Sequence, residues 1–429
     1  MMVQKEKKAK SKRNTIFVQI AAYRDPQLVP TLDDMFKNAK FPNNLRIGIC
    51  WQHNKEDEWD SLGKYADHKQ VKVIDVDYSE SKGVCWARNL VQQLYDGEKY
   101  TLQLDSHHRF AENWDQELIK MIKQLQKDGH KKPLLTAYIP SFDPEDDPVS
   151  RIHQAWKMNF DRFIPEGAIF FLPANFSPND DHSKPLPSRF YSAHFCFTLG
   201  SFVEEVPHDP NYYFHGEEIS IAVRAFTHGY DLFHPNKPVC WHEYTRKGRT
   251  KQWDDDKVWH DRNMASHLRN RKLFEMDGEL RDIDFGKYDF GKVRTLRDYE
   301  KYAGISFKKR GVHRCVLDHE PPPNSEILAM SDEEFDKNLL SVFKHCIDIQ
   351  YSQVPENDYD FWVVAFKDAE GNDLYRKDAD VEEIQRMKTD QDGYCKIWRE
   401  FQTDKKPASW LVWPHSLTKE WMDPIIGAL

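Results

Sequence analysis

Along the first third of the chain, short apolar runs take turns with apolar residues spaced three and four apart. Residues 16–21 form an apolar run that Asp25-Pro26 breaks, which predicts a strand and its turn. Val29, Leu32, Met35, Phe36 and Ala39 then recur at helical spacing, and Phe41-Pro42-Asn43-Asn44 closes that helix. Residues 45–51 and 71–76 predict the second and third strands. Ala87, Leu90, Val91 and Leu94 mark one face of a helix with Gly97 at its end. Residues 100–104 predict a fourth strand, followed by a helix carrying Trp114, Leu118, Met121, Ile122 and Leu125 and by a strand over 134–139. Strands separated by helices predict an α/β class with a largely parallel sheet covered on both faces.

Residues 140–190 are rich in Pro, Asp and Ser and read as long irregular loops, the kind that serve as lids or binding segments. A strand over 194–199 follows. A helix then opens near Gly216, burying Ile219, Ala222, Val223 and Phe226 and ending at Gly229. Pro238-Val239-Cys240 predicts a short strand, and residues 251–310 are highly charged. Past Pro321-Pro322-Pro323, a helical patch over 335–343 precedes three aromatic and β-branched runs at 361–366, 394–401 and 410–413. Glu370-Gly371-Asn372 and Asp392-Gly393 divide them, which predicts a small antiparallel β module.

Composition narrows this picture. The 39% hydrophobic and 13% aromatic content can fill a sizeable core, and no apolar run reaches the roughly 18 residues of a membrane helix. Met1 to Arg13 is basic but leads into no apolar signal region, so a solvated leader is expected. The net charge of −9 gives no support to general nucleic-acid binding. Seven dispersed cysteines without a C-x-x-C pair predict reduced thiols and a cytoplasmic location.

In open α/β sheets, ligands bind beyond the carboxyl ends of the strands. That rule selects residues 22–25, 75–83 and 105–109. Asp105-Ser106-His107 directly follows an apolar strand, so Asp105 and His107 can aim an oxygen and a nitrogen at one divalent ion. Such an ion bridges diphosphate oxygens and offsets the charge that builds as a nucleoside diphosphate departs; the mixed donor set suits Mn2+. His242, after the short strand at 238–240, would complete the set. Helix capping by Asp105 and ordinary surface histidines are the plainer alternative. Glu217 and Glu218, just after Gly216, sit where the helix dipole favours acids, and equally where a carboxylate could meet sugar hydroxyls or assist an acceptor. Arg88, in the first turns of the helix that opens at Gly83, could reach a diphosphate or a base, or be an ordinary solvated arginine. Tyr23, Arg24 and Asp25 could stack on and hydrogen-bond a nucleoside. Arg246, Lys247 and Arg249 could hold the leaving diphosphate.

Leu102 to His107 resembles the Asp-x-His metal motif of the polypeptide N-acetylgalactosaminyltransferases, with residues 83–89 and His215-Gly216-Glu217-Glu218 in the same order as that group's helix-opening Arg and Gly-Gly-Glu-Asn segments. A nearer resemblance is to GlcNAc-transferase family 60, whose members include a cytoplasmic enzyme that adds α-GlcNAc to hydroxyproline on a ubiquitin-ligase adaptor. It is carried by residues 16–26, 43–48 and 288–299. The resemblance covers about residues 14–310 and implies a GT-A type, Rossmann-like nucleotide-sugar sheet. It further implies retaining transfer from UDP-GlcNAc to a protein hydroxyl (hydroxyproline, Ser or Thr), with Mn2+ or another divalent ion. Position by position, Asp105, His107 and His242 would be metal ligands, and Glu217 would face the reacting sugars; the candidate donor-binding set, Tyr23, Arg24, Asp25, Arg88, Asp105, Ser106 and Arg246, comes from the residues themselves. Glu218 stands where the more distant group has Asn, which leaves the division between the two carboxylates open.

The expected organisation is a basic tail over 1–13, a catalytic domain over 14–310, a linking helical segment over 311–345 and a β-rich accessory module over 346–429. Neither nucleic acid nor membrane is an expected partner, and self-association stays open. A different UDP-sugar or a non-protein acceptor, a metal-dependent hydrolase, and a catalytically silent UDP-sugar-binding protein are the alternatives.

Overall fold

The computed structural model describes residues 14–246, 248–388 and 393–429. The basic leader Met1 to Arg13, Lys247 and Asp392 lie outside the described residues. The chain runs β1 (Ile16–Tyr23), α1 (Leu28–Asn38), β2 (Leu45–His53), β3 (Val71–Asp77), α2 (Val84–Gln92), β4 (Tyr100–Leu104), β5 (His108–Phe110), α3 (Trp114–Lys127) and β6 (Pro133–Thr136). It continues through β7 (Trp156–Phe163), β8 (Ile169–Asn175), β9 (Leu186–Pro187), β10 (Phe195–Leu199), α4 (Phe202–Glu205), α5 (Glu217–Thr227), β11 (Asp231–His234), β12 (Cys240–His242), α6 (Gln252–Asp255) and α7 (Trp259–Phe274).

Eight strands form one sheet in the order β3-β2-β1-β4-β10-β6-β11-β9. β1 runs parallel to β2 and β4, β2 to β3, and β11 to β6, while β10 and β9 run against their neighbours. The α/β class with a mostly parallel central sheet is therefore the architecture present. Side-chain alternation explains the near-continuous apolar strands. Val18 and Ile20 join Leu32, Met35, Leu118 and Ile122 in the core on one face. Phe17 turns to the other face and packs with Cys50, Val76, Ala87 and Val91.

Several local expectations are corrected. α2 stops at Gln92, with Gln93 N–H donating to Leu90 and Val91 carbonyls, so Gly97 caps no helix. β6 ends at Thr136 instead of 139. Within 140–190, β7 and β8 form an antiparallel hairpin turning near Gly167, whose φ of +111° suits only glycine well. The density of Pro and Asp hid the alternating Trp156, Met158 and Phe160. His242 lies within β12 and not beyond a strand over 238–240.

By internal contacts the chain divides into two units, one running through Lys308 together with Cys315–Met330, the other Lys309–Arg314 with Ser331–Leu429. In the second unit Ser341–Gln350 pairs with Tyr394–Thr403, and Tyr359–Lys367 with Ser409–Ser416, all antiparallel. Ile347, Trp362, Phe366, Ile397 and Val412 form its own core. The helical patch expected over 335–343 is shorter: the helix spans Asp332–Lys337, and Phe343 already belongs to a strand. All seven cysteines are free. Among the described residues no helix is long and apolar enough to cross a membrane.

Candidate active site

β4 ends at Leu104, so Asp105, Ser106 and His107 are the first residues past the carboxyl edge of the sheet. The chain then enters β5, which pairs antiparallel with β12, setting His242 opposite His108. Glu243 N–H donates to the His107 carbonyl at 3.1 Å and continues that ribbon. This pairing carries His242 to the two residues beyond β4. One ligand atom from each of Asp105, His107 and His242 lies within 4.8 Å of the others.

His107 Nδ1 lies 2.7 Å from Asp25 Oδ2, while its Nε2 lies 3.8 Å from Asp105 Oδ2 and 3.2 Å from Arg249 Nη2. His242 Nε2 lies 3.5 Å from the same oxygen, and neither ring nitrogen of this buried side chain has a hydrogen-bond partner. Burial acts to raise the Asp105 pKa, but His242, Arg88 and His107 outweigh it and hold the carboxylate well below its usual range. Burial pushes the His242 pKa well down, keeping the imidazole neutral. An anionic oxygen and two imidazole nitrogens, one of them carboxylate-oriented and another unpartnered, fit a divalent ion of intermediate hardness such as Mn2+.

Asp25 sits behind this group. Its Oδ2 also accepts from Ser106 Oγ at 2.6 Å and from Arg249 Nη1 at 3.0 Å. These partners depress its pKa against the effect of burial. Ser106 thus braces Asp25. Tyr23 and Arg24 face neighbouring side chains: Tyr23 donates to Asp255 Oδ2 at 2.6 Å, while Arg24 pairs with Asp57 at 2.6 Å and with Asp255 at 2.9 Å. Arg88, from the second turn of α2, is 4% exposed; it bridges Asp105 Oδ1 at 2.8 Å and Glu217 Oε1 at 2.6 Å. Gly83 opens that helix at φ +103°, and a Cβ there would stand 2.6 Å from the Tyr213 ring.

Two cavities meet at Asp105, Phe214, His242 and Arg246. The smaller, about 140 Å³, is lined by Tyr23, Asp25, Ser106 and His107. The larger, about 330 Å³, has Arg88, Glu217 and Glu218 with Tyr138, Phe170, Phe171 and Tyr244. Arg246 borders both, its guanidinium 5.3 Å from the centre of the Trp253 ring. Glu217 is buried, paired with Arg88 and accepting from the Cys85 thiol. Glu218 accepts from Tyr138 Oη at 2.9 Å and from Ala193 N–H at 2.8 Å.

Cys85, His208 and Glu217 also stand within ligand spacing of one another. Burial pushes the Cys85 thiol well up, and that thiol and Arg88 together take both Glu217 oxygens. That trio is internal packing around Arg88. Tyr138, Tyr244 and His194 were missed from sequence. His194 precedes β10 and stacks on His242 at 4.3 Å, and Tyr244 lies two residues beyond His242. Alternation past β12 was the signal that could have found Tyr244.

A family model described as Glycosyltransferase (GlcNAc) matches residues 15–62 and 61–309. No curated protein matches the sequence. Among solved structures, GalNAc-T7 with UDP, GalNAc and Mn2+ is similar at 13% identity, covering 97% of this chain and 72% of that one, TM-score 0.48. S. aureus TarS residues 1–349 with UDP-GlcNAc is 12% identical over 60% of this chain and 67% of that one, TM-score 0.37. The Pyrobaculum calidifontis mannosyltransferase PcManGT with GDP-Man and Mn2+ is 12% identical over 59% and 63%, TM-score 0.37.

Proposed function

The chain belongs to the Glycosyltransferase (GlcNAc) family, and from that premise we propose that it is a retaining transferase with a GT-A type catalytic domain. In this reading it moves α-GlcNAc from UDP-GlcNAc to a hydroxyl of a protein in the cytoplasm, as a member of family 60. The observation that carries the reading is the Asp105, His107, His242 group at the carboxyl edge of the sheet, between two cavities. These three residues would hold a divalent ion, Mn2+ by the chemistry of the donor set. Such an ion, when bound, supplies Lewis-acid stabilisation of the departing diphosphate.

The remaining work falls to the protein. The smaller cavity would take the nucleotide, with Tyr23, Asp25, Ser106 and Arg246 lining it and Arg24 paired with Asp57 and Asp255. Arg88, held by two carboxylates, fixes Asp105 relative to α5 and brings positive charge close to the reacting centre. Glu217 and Glu218 face the sugar side. The acceptor hydroxyl approaches on the face from which the diphosphate leaves, which preserves the anomeric configuration without a covalent enzyme nucleophile.

UDP release from a panel of UDP-sugars, with and without Mn2+, tests the reading. Metal-dependent release, greatest with UDP-GlcNAc, is expected. Asp105→Ala should lower it at least a hundredfold, a loss of about 2.7 kcal/mol or more of transition-state stabilisation, while the far-ultraviolet circular dichroism is unchanged. Near-normal turnover in that variant rejects the assignment.

A further inference from the structure

Two adjacent carboxylates open α5, and the fold gives them different surroundings. Both oxygens of Glu217 are committed inside the protein, one to Arg88 and one to Cys85. The hydrogen-bond partners of Glu218 are a backbone N–H and a tyrosine hydroxyl, neither of them a cation. Burial first, and then the charge on Glu217, lift the Glu218 pKa to about 7 against the pull of the Ala193 N–H, Tyr138 and Arg88. The other groups facing it come from separate elements: Arg88 from α2, Tyr138 from beyond β6, and Tyr244 from beyond β12. Burial pushes both tyrosine hydroxyls well up, so they stay protonated, and Arg88 stays charged. His194, His215 and His242, which border the same cavity, are held neutral by burial, and Asp105 stays ionised, so Glu218 is the group among these whose charge changes near neutrality. It borders the larger cavity beside Asp105, under the apolar surface of Phe170 and Phe171.

Resting on the transferase reading above, we propose that the larger cavity receives the acceptor, an uncharged alcohol on an apolar frame, and that Glu218 Oε2 takes the proton of its hydroxyl while Tyr138 positions the carboxylate. As the acceptor oxygen forms its bond to the anomeric carbon, the bond from that carbon to the diphosphate oxygen breaks and its electron pair leaves with the diphosphate. The acceptor O–H bond gives its pair to the oxygen and its proton to Glu218. The resulting carboxylic acid returns that proton to solvent once the product has left the cavity. A base with a pKa near the working pH suits such a transfer, and the split between the neighbouring carboxylates gives each a separate task.

The test uses the full chain with Mn2+, the best UDP-sugar and an alcohol acceptor. In the wild type, kcat should fall about tenfold per pH unit below about pH 7, the behaviour of one required base. Glu218→Gln should lower kcat by about 10²–10⁴-fold with little change in KM for the donor. Glu218→Ala should recover UDP release in azide, which has no proton to lose, and a glycosyl azide should appear by mass spectrometry. Tyr138→Phe removes a hydrogen bond that favours the ionised carboxylate, so its acid limb should move to higher pH. Wild-type-like kcat in Glu218→Gln, an unrescued Glu218→Ala, or a donor KM that rises as much as kcat falls would each overturn the proposal. An inactive wild type with every UDP-sugar would instead remove the transferase reading itself.

Discussion

Asp25 Oδ2 collects donors from Ser106, His107 and Arg249 at one buried oxygen. From sequence the residue was expected to touch the nucleoside; its place behind His107 makes orientation of that ring its stronger contribution. A carboxylate that fixes a ligand imidazole is worth about 10–100-fold in metal affinity. Asp25→Asn should weaken Mn2+ binding by that factor in an electron paramagnetic resonance titration of free Mn2+, and an unchanged Kd would show that the contact is only structural. Asp105, His107 and Glu217 could be singled out from sequence because each stands at a recognisable strand end or helix start. The occupation of Arg24 by Asp57 and Asp255 could not, because residues 57 and 255 become its neighbours only through the fold.

Among the elements, α2 and the β5–β12 ribbon set the site. The tight entry at Gly83 aims α2 so that Arg88 reaches both Asp105 and Glu217. In Gly83→Ala the new Cβ would meet the Tyr213 ring at 2.6 Å and its carbonyl at 2.9 Å, at a φ of +103° that L-residues avoid. The expected cost is about 2 kcal/mol or more, read as a lowered urea midpoint, together with lost UDP release. Wild-type stability and turnover would refute this role. The apolar runs of β1, β2 and β4 were legible because both faces of the sheet are covered. The three-residue strands β5 and β12 were not, since so short a run holds no period and its partner lies about 130 positions away.

At the scale of the whole molecule, buried neutral histidines tie the stability of the first unit to pH. His234 lies 2.8 Å from the Thr136 carbonyl through Nδ1, and burial lowers its pKa to about 4. Burial likewise drives the His208 pKa well down. The unfolded chain binds protons at these positions from about pH 6.5, whereas the folded chain resists them. Their contribution to stability is thus present above about pH 6.5 and lost as pH falls toward the folded values, by up to about 1.4 kcal/mol per pH unit for each group. Urea unfolding at pH 7.5, 6.5 and 5.5 should show this decline, and His234→Asn should flatten it; equal slopes in the two proteins would contradict the assignment. By itself the sequence determined the α/β class, the order of the longer strands and helices from β1 to β6, and the residue types that can hold a divalent ion. Local periodicity and residue chemistry record those directly. Only the tertiary structure decided that His242 joins Asp105 and His107, that Asp25 stands against the His107 ring, and that Glu217 and Glu218 differ in their partners. Pairing across long sequence separations, and the burial it creates, set distance and charge, and no local pattern encodes either.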